Sequence, residues 1–426
     1  MWRKIRDSKT GSVQTLRWLG IYVLNFLKWL VMATIIGLIG GIVGTVFHEC
    51  IELVTDFRRE NGWMLYLLPF AGMLIVFLYH RAGLRNDRGT NLVLDSVHTE
   101  QHVPFRMAPL IFIGTILTHL CGGSAGREGA ALQIGGSIGS TLGGIFHFGE
   151  KDRHVLVMCG MSAVFTAMFG TPLTATVFSM EVVSVGIVYY SAFVPCIISA
   201  TVAYGLTSYL GVNATRYAVN IGYTLSLSIC LKVIVMAMLC GLVGILFCVA
   251  LHTVSHLAKE KIPNDYIRVC VGGVLVILLT LLVGADYYNG AGTSMIQKAL
   301  HSEVPPTAFL WKILFTAVTI GMGFKGGEIV PTLFIGATFG NFIGPVLGID
   351  PSFAAAVCMV AMFCAVVNCP IASVLLGLEL FARTDMLLFA IACGVSYVFS
   401  GYYSLYSSQK IMYAKTRPEY INKKAE

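Results

Sequence analysis

Charged side chains are scarce in this sequence. Asp, Glu, Lys and Arg make up 12% of its 426 residues and 56% are hydrophobic, against roughly 25% charged in a soluble globular domain. That scarcity excludes a water-soluble fold and points to an integral membrane protein. The 12 cysteines form no Cys-x-x-Cys pair and no metal-type spacing, which excludes a disulfide scaffold or zinc site and leaves them as small buried hydrophobes. His48-Glu49-Cys-Ile-Glu52 lacks the second His of a zincin, so it reads as the polar end of a long helix. No linker or charge run sets off a soluble domain. No basic stretch is interleaved with aromatics either, so no nucleic-acid partner is expected. The apolar run after the basic N-terminus far exceeds a signal-peptide core and is read as a retained helix. Nothing calls for a cofactor, and the chain does not read as an enzyme.

Long apolar runs are abundant. A membrane-spanning helix needs about 20 mostly apolar residues. Runs occupy residues 18–54, 63–79, 107–121, 128–148, 154–188, 189–210, 225–257, 269–282, 309–322, 329–347, 353–381 and 386–403. Several are too short or too long for one perpendicular span, which predicts an all-α polytopic membrane protein of tilted and broken helices set in lipid. The 45 glycines, as in Gly37-Leu-Ile-Gly-Gly-Ile-Val-Gly44, suit close helix contact. The net charge of +7 gathers at the ends, in Arg3, Lys4, Arg6, Lys9 and Arg17 and in Lys410, Lys415, Arg417, Lys423 and Lys424. Positive flanks face the cytoplasm, so both termini are expected there.

A repeat underlies the chain. Gly89-Thr-Asn-Leu-Val matches Gly292-Thr-Ser-Met-Ile at an offset of 203. Leu132-Gln-Ile-Gly-Gly-Ser-Ile-Gly139 matches Leu333-Phe-Ile-Gly-Ala-Thr-Phe-Gly340 at 201. Pro172-Leu-Thr-Ala, with Glu181 nine residues on, matches Pro370-Ile-Ala-Ser with Glu379 nine residues on, at 198. Near-constant offsets predict two pseudo-repeats, taken as inverted, with a substrate site between them built from the ends of broken helices. The expected divisions are a basic cytoplasmic N-terminus 1–17, a first repeat 18–212, a second repeat 213–413 and a cytoplasmic tail 414–426.

The chemistry concentrates in Gly122-Gly-Ser-Ala-Gly-Arg-Glu-Gly129. Glu128 lies between apolar runs, where an ionisable side chain costs roughly 2.5–3.5 kcal/mol on insertion scales and marks an ion or proton pathway. The glycines uncover backbone amides, and a helix starting here aims its free N–H groups at an anion. The plainer alternative is a glycine-rich loop with Arg127 and Glu128 facing water. Glu328 stands in a corresponding place just ahead of the second Leu-x-Ile-Gly helix. Two facing carboxylates repel, so one tends to hold a proton. Gly122-Gly-Ser-Ala-Gly126, near His119, also fits the G-x-S-x-G hydrolase pattern, though without its strand–turn–helix context. That keeps an intramembrane serine protease as a remote alternative. Glu181 and Glu379 are read as helix-end packing residues, with a functional role as the alternative.

These motifs resemble those of the CLC family of chloride channels and chloride/proton antiporters. Gly122–Gly129 is similar to the family's G-S-x-G-R-E-G, Gly326-Gly-Glu-Ile-Val-Pro331 to its G-G-I-F-x-P, and Leu405-Tyr-Ser407 to the motif carrying its central tyrosine. The resemblance implies the CLC-type fold and a homodimer with one anion pathway per subunit. It makes Glu128 the gating, proton-carrying glutamate and Tyr406 a hydroxyl donor to the anion. Departures stand at Gly89-Thr-Asn-Leu-Val93 for G-S-G-I-P, Ala130 for a proline, Val182 for the internal proton-transfer glutamate, and Glu328 for an apolar residue. This combination resembles the fluoride/proton antiporter branch, which bacteria use to expel fluoride across the plasma membrane. The expected anion-binding set is Thr90, Asn91, Gly126, Arg127, Gly129, Ile329, Val330 and Tyr406, with Glu128 and Glu328 for gating and proton transfer. The expected partners are fluoride or chloride, protons, a second copy of the chain and the lipid bilayer. A chloride/proton antiporter and a passive chloride channel remain alternatives.

Overall fold

The structure is a computed structural model that describes residues 9–85, 87–219, 223–381 and 386–426. Arg3, Lys4 and Arg6 lie outside the described residues, and Lys9 and Arg17 enter only as helix backbone. Among the described residues sixteen α-helices fall into two sets of eight. The first comprises α1 (Lys9–Glu60), α2 (Leu68–Arg81), α3 (Thr90–Ser96), α4 (Met107–Leu120), α5 (Glu128–Ile145), α6 (Glu150–Phe169), α7 (Pro172–Glu181) and α8 (Phe193–Tyr209). The second comprises α9 (Leu227–Lys261), α10 (Asp265–Val283), α11 (Thr293–His301), α12 (Ala308–Gly321), α13 (Ile329–Val346), α14 (Pro351–Val367), α15 (Pro370–Phe381) and α16 (Met386–Phe399).

The helices are tilted, long or broken for identifiable reasons. The 14 residues of α4 or α12 rise only about 21 Å, short of a hydrocarbon core of about 30 Å. The apolar runs 154–188 and 353–381 each divide at the same place. Gly170 (φ +70°) ends α6 before Pro172 opens α7, and Asn368 (φ +57°) ends α14 before Pro370 opens α15. A left-handed residue stops a helix, and proline, lacking an N–H, suits the first turn of the next. Among the described residues six segments, Trp18–Glu60 and Leu227–Lys261 the longest, have the length and apolarity to cross a membrane. Exposed leucines such as Leu231, Leu242, Leu278 and Leu281 turn outward from α9 and α10, as a lipid-facing surface requires.

The repeated Leu-x-Ile-Gly motif is a packing device. A Cβ on Gly135 or Gly139 would lie 2.1 Å from the carbonyl oxygen of Gly160 or Leu156 on α6. In the second half Gly336 and Gly340 meet the Cys358 and Ala354 carbonyls of α14 at 2.5 and 2.4 Å. Only glycine lets each helix pair approach so closely.

Two reciprocal contacts relate the halves. The Gly126 N–H donates to the Gly327 carbonyl (2.6 Å) and the Gly327 N–H returns a bond to the Gly126 carbonyl (2.7 Å). Glu181, ending α7, accepts from the Ile371 and Ala372 N–H groups that open α15 (3.3 and 2.9 Å). Glu379, near the end of α15, accepts from the Leu173 and Thr174 N–H groups that open α7 (3.0 and 2.8 Å). Contacts in which each half does to the other what is done to it are the mark of a two-fold relation. Each carboxylate satisfies two otherwise orphaned helix-start donors of the opposite repeat.

A three-stranded sheet adds to the helices. β1 (Ser184–Val185) pairs parallel with β2 (Lys410–Tyr413), which pairs antiparallel with β3 (Tyr420–Lys424). The segment 414–426, expected as a tail, is therefore packed back onto the helical body. The Lys415 ammonium donates to the Asn368 side chain, the Tyr397 carbonyl and the Ser400 hydroxyl (2.5, 2.8 and 2.9 Å). The Ser404 N–H donates to the Glu426 carbonyl (3.1 Å).

Candidate anion and proton site

The paired glycines 126 and 327 bring the starts of α5 and α13 together. Glu128 is the first residue of α5, 1% exposed. Its Oε2 accepts the Arg127 backbone N–H (3.0 Å), and its Oε1 lies 3.5 Å from the Arg127 Nε. The carboxylate thus folds onto the positive end of its own helix, where a free anion would also be drawn. Arg127 reaches onward to Glu52 (3.8 Å), which also holds the His48 ring (3.1 Å).

Glu328 precedes α13 as its N-cap residue, so it is in register with Arg127 rather than with Glu128. The Gly126–Gly327 pair sets the same register. The expectation of equivalent places is corrected by one residue, and a one-residue step along a helix start turns the side chain to another side. Glu328 Oε2 is buried without a hydrogen-bond partner. Gly129 separates the two acids' surroundings: a Cβ there would stand 3.1 Å from Glu328 Oε2, 3.7 Å from the Thr90 hydroxyl and 2.8 Å from the Gly327 Cα.

A cavity of about 670 Å³ opens beside these helix starts, and its lining includes Thr90, Asn91, Gln133, Glu328 and Tyr406. Tyr406 is 1% exposed and its hydroxyl has no partner. Its backbone N–H is fixed by the Ser404 hydroxyl (3.1 Å). Thr90 opens α3, and its hydroxyl donates to the Gly129 carbonyl (3.4 Å). The Asn91 Oδ1 accepts from the Ser408 N–H (2.9 Å), which joins α3 to the Tyr406 turn. Asp87 accepts from the Gly89 N–H (3.1 Å) and from the Lys325 ammonium (2.6 Å), tying α3 to the approach to α13. Arg88 pairs with Asp95 and donates to the Ser408 hydroxyl. The lining also carries Arg85, Arg88, Lys259, Arg268 and Lys325 against Asp87, Asp265 and Glu328, a positive balance that gathers anions.

Of the expected anion donors, the structure brings Thr90, Asn91 and Tyr406 to one cavity together with Glu328. Arg127, Gly129, Ile329 and Val330 are buried at the adjoining helix starts. The Gly126 N–H does not face an anion, because the Gly327 carbonyl holds it. The hydrolase pattern does not assemble. The Ser124 hydroxyl meets Thr316 (3.0 Å) and receives the Lys312 ammonium (3.0 Å), while His119 Nδ1 is bonded to the Thr115 carbonyl (3.0 Å). Lys312 also donates to the Tyr288 and Gly290 carbonyls (3.0 and 2.7 Å). These three bonds make Lys312 a brace that holds Ser124 to the turn at Tyr288–Gly290. Gln133 and Lys312 were missed by the motif reading; their signal is a lone polar residue inside an apolar run. Among the described residues no cluster of His, Cys, Asp or Glu has the makings of a metal site.

Residues 71–401 match the family model described as "Voltage gated chloride channel". A "Chloride/fluoride channel protein" from Pseudomonas syringae pv. tomato is 35% identical over 395 residues, covering 91% of this chain and 87% of the relative. The "H(+)/Cl(-) exchange transporter ClcA" of Vibrio cholerae serotype O1 is 26% identical over 386 residues, covering 82% and 81%. Among solved structures, one described as a CLC-type fluoride/proton antiporter superposes with a TM-score of 0.87 at 31% identity, covering 90% of this chain and 98% of the other. A slow cyanobacterial Cl-/H+ antiporter superposes with a TM-score of 0.76 at 20% identity, covering 87% and 94%, a likeness of fold.

Proposed function

Because this chain belongs to the voltage-gated chloride channel family, the CLC family, we propose that it is a fluoride/proton antiporter that exports fluoride. The observation that carries the reading is the placing of a second acid, Glu328, with an unpartnered carboxylate oxygen in the same cavity as Thr90, Asn91 and the free Tyr406 hydroxyl. Fluoride is small and strongly hydrated, so a site must replace its water with short, strong donors, which hydroxyls and amides supply. In this scheme an anion drawn in past the cationic lining is met by the Tyr406 hydroxyl, beside Thr90. Glu128, as carboxylate, holds the Arg127 N–H against it. Protonated, Glu128 loses its charge, releases that donor and carries its proton as the anion passes. Glu328 relays protons between the cavity and Glu128, a task that Val182, apolar and buried, cannot perform.

The proposal includes Arg127, Gly129, Ile329 and Val330 as the helix-start surface along which the anion moves. It includes a homodimer in the bacterial plasma membrane with both termini cytoplasmic, and repeats divided near residue 213. A passive channel is the second reading, favoured by the name of the Pseudomonas relative. Purified protein in liposomes, followed with fluoride and chloride electrodes and a pH probe, separates the two. The antiporter predicts fluoride efflux far above chloride efflux, with protons driven uphill by a fluoride gradient. Fluoride flux without proton movement makes the chain a channel, and comparable chloride flux moves it to the chloride branch.

A further inference from the structure

Gln133 lies on α5 five residues beyond Glu128, 4% exposed, and lines the cavity that Glu328 and Tyr406 also line. Its Nε2 donates to the Thr90 hydroxyl (3.2 Å), and its Oε1 is buried with no hydrogen-bond partner. Leaving a buried amide oxygen unsatisfied is costly, and a carboxamide has one acceptor end and one end with two N–H donors. A half-turn about its last bond exchanges those ends. The oxygen then accepts the Thr90 hydroxyl, which otherwise reaches 3.4 Å to the Gly129 carbonyl, and two N–H groups become free for a ligand. Only an acceptor of hydrogen bonds gains from that turn. Among the described residues Asn91 is the one other neutral side-chain amide in the cavity lining, and its oxygen is already held by the Ser408 N–H.

We propose that Gln133 is a specificity-determining residue of the anion site, donating its carboxamide N–H to a dehydrated fluoride beside Tyr406 while its oxygen takes the Thr90 hydroxyl. The assignment rests on the fluoride/proton reading above. A fixed amide donor rewards a small anion with high charge density more than a larger one, because the hydrogen bond it offers strengthens as the acceptor becomes smaller and more concentrated in charge.

The rival explanation is that Gln133 merely braces Thr90, and the test removes that brace first. Fluoride and chloride efflux are measured in liposomes for the wild type, Gln133→Met, Thr90→Val and the double variant, with gel filtration in detergent as the folding control. Direct contact predicts that Gln133→Met raises the half-saturating fluoride concentration about tenfold in both the wild-type and the Thr90→Val backgrounds. It also predicts that the fluoride-to-chloride flux ratio falls. A Gln133→Met effect that vanishes once Thr90 is Val assigns Gln133 to bracing and overturns the proposal, as does an unchanged half-saturation in both. Should the Met variant misfold, Gln133→Leu, which has neither an N–H nor a charge, is read by the same criterion. A wild type without fluoride flux removes the underlying function and this assignment together. A fluoride-transporting wild type with an indifferent Gln133 removes only the assignment.

Discussion

The starts of α5 and α13 occupy matching places in the two repeats, yet they hold their acids differently. Glu128 is drawn onto its own helix start by the Arg127 amide and guanidinium. Glu328, one residue earlier in register, leaves a carboxylate oxygen without a partner and lines the cavity. Pseudo-symmetry supplied two helix ends, and a single residue of displacement left one acid held at its helix start and the other with a free oxygen at the cavity. The reciprocal caps Glu181 and Glu379 make the contrasting case. They kept the same register and the same task.

The largest effects test the two acids. Glu128→Gln cannot release a proton and is expected to abolish proton-coupled fluoride movement. Glu328→Gln is expected to slow it by about 10²-fold, the scale of a lost proton-transfer group, with fluoride binding retained. Uphill proton transport by Glu128→Gln liposomes at the normal rate would end the gate assignment, and equal losses in both variants would erase the distinction drawn between them.

An intermediate effect is expected where the repeats touch. A Cβ on Gly327 would lie 2.4 Å from the Gly129 nitrogen, and one on Gly129 2.8 Å from the Gly327 Cα. Gly129→Ala and Gly327→Ala should each lower stability by about 1–3 kcal/mol, read as thermal unfolding in detergent. Gly129→Ala should also slow transport by crowding Glu328. A Gly129→Ala protein with wild-type melting and flux would show that the contact between the repeats is looser than described.

The smallest effect, and the most even, belongs to the caps. Glu181→Gln and Glu379→Gln should each cost about 1 kcal/mol of stability, as a lost helix cap does, and leave the proton-to-fluoride ratio unaltered. A change in that ratio for Glu181→Gln alone would make Glu181 part of the proton path and break the symmetry of the pair.

Much of this was legible in the sequence because it is written in local chemistry. The glycine spacing of Leu132–Gly139 and Leu333–Gly340 announces close helix packing. The over-long runs 154–188 and 353–381 announce broken helices, though not that Gly170 and Asn368 are the points of the break. Gly-Arg-Glu-Gly announces a charged helix start. What stayed hidden depends on partners distant in the chain. The N–H of Gly126 reads as free until Gly327 takes it. Glu181 and Glu379 read alike, but that each caps the other's repeat requires the two-fold arrangement. Gln133 sits in a motif chosen for its glycines, and nothing along the chain brings Thr90 to its side. The strands of 410–424 are only four and five residues long, and the pairing of β2 with 184–185 and of β3 with β2 gives no periodic signal.

The sequence by itself determined that this chain lives in lipid, that it is made of two copies of one plan, and which residues carry charge into an apolar interior, because composition, spacing and helix breaking act through near neighbours. Only the tertiary structure decided which amides stay free, which acid is tucked away and which faces the cavity, and which side chains line that cavity. Hydrogen-bond satisfaction in a low-dielectric interior is settled between groups some two hundred residues apart, and a shift of one residue is enough to exchange a held carboxylate for an open one.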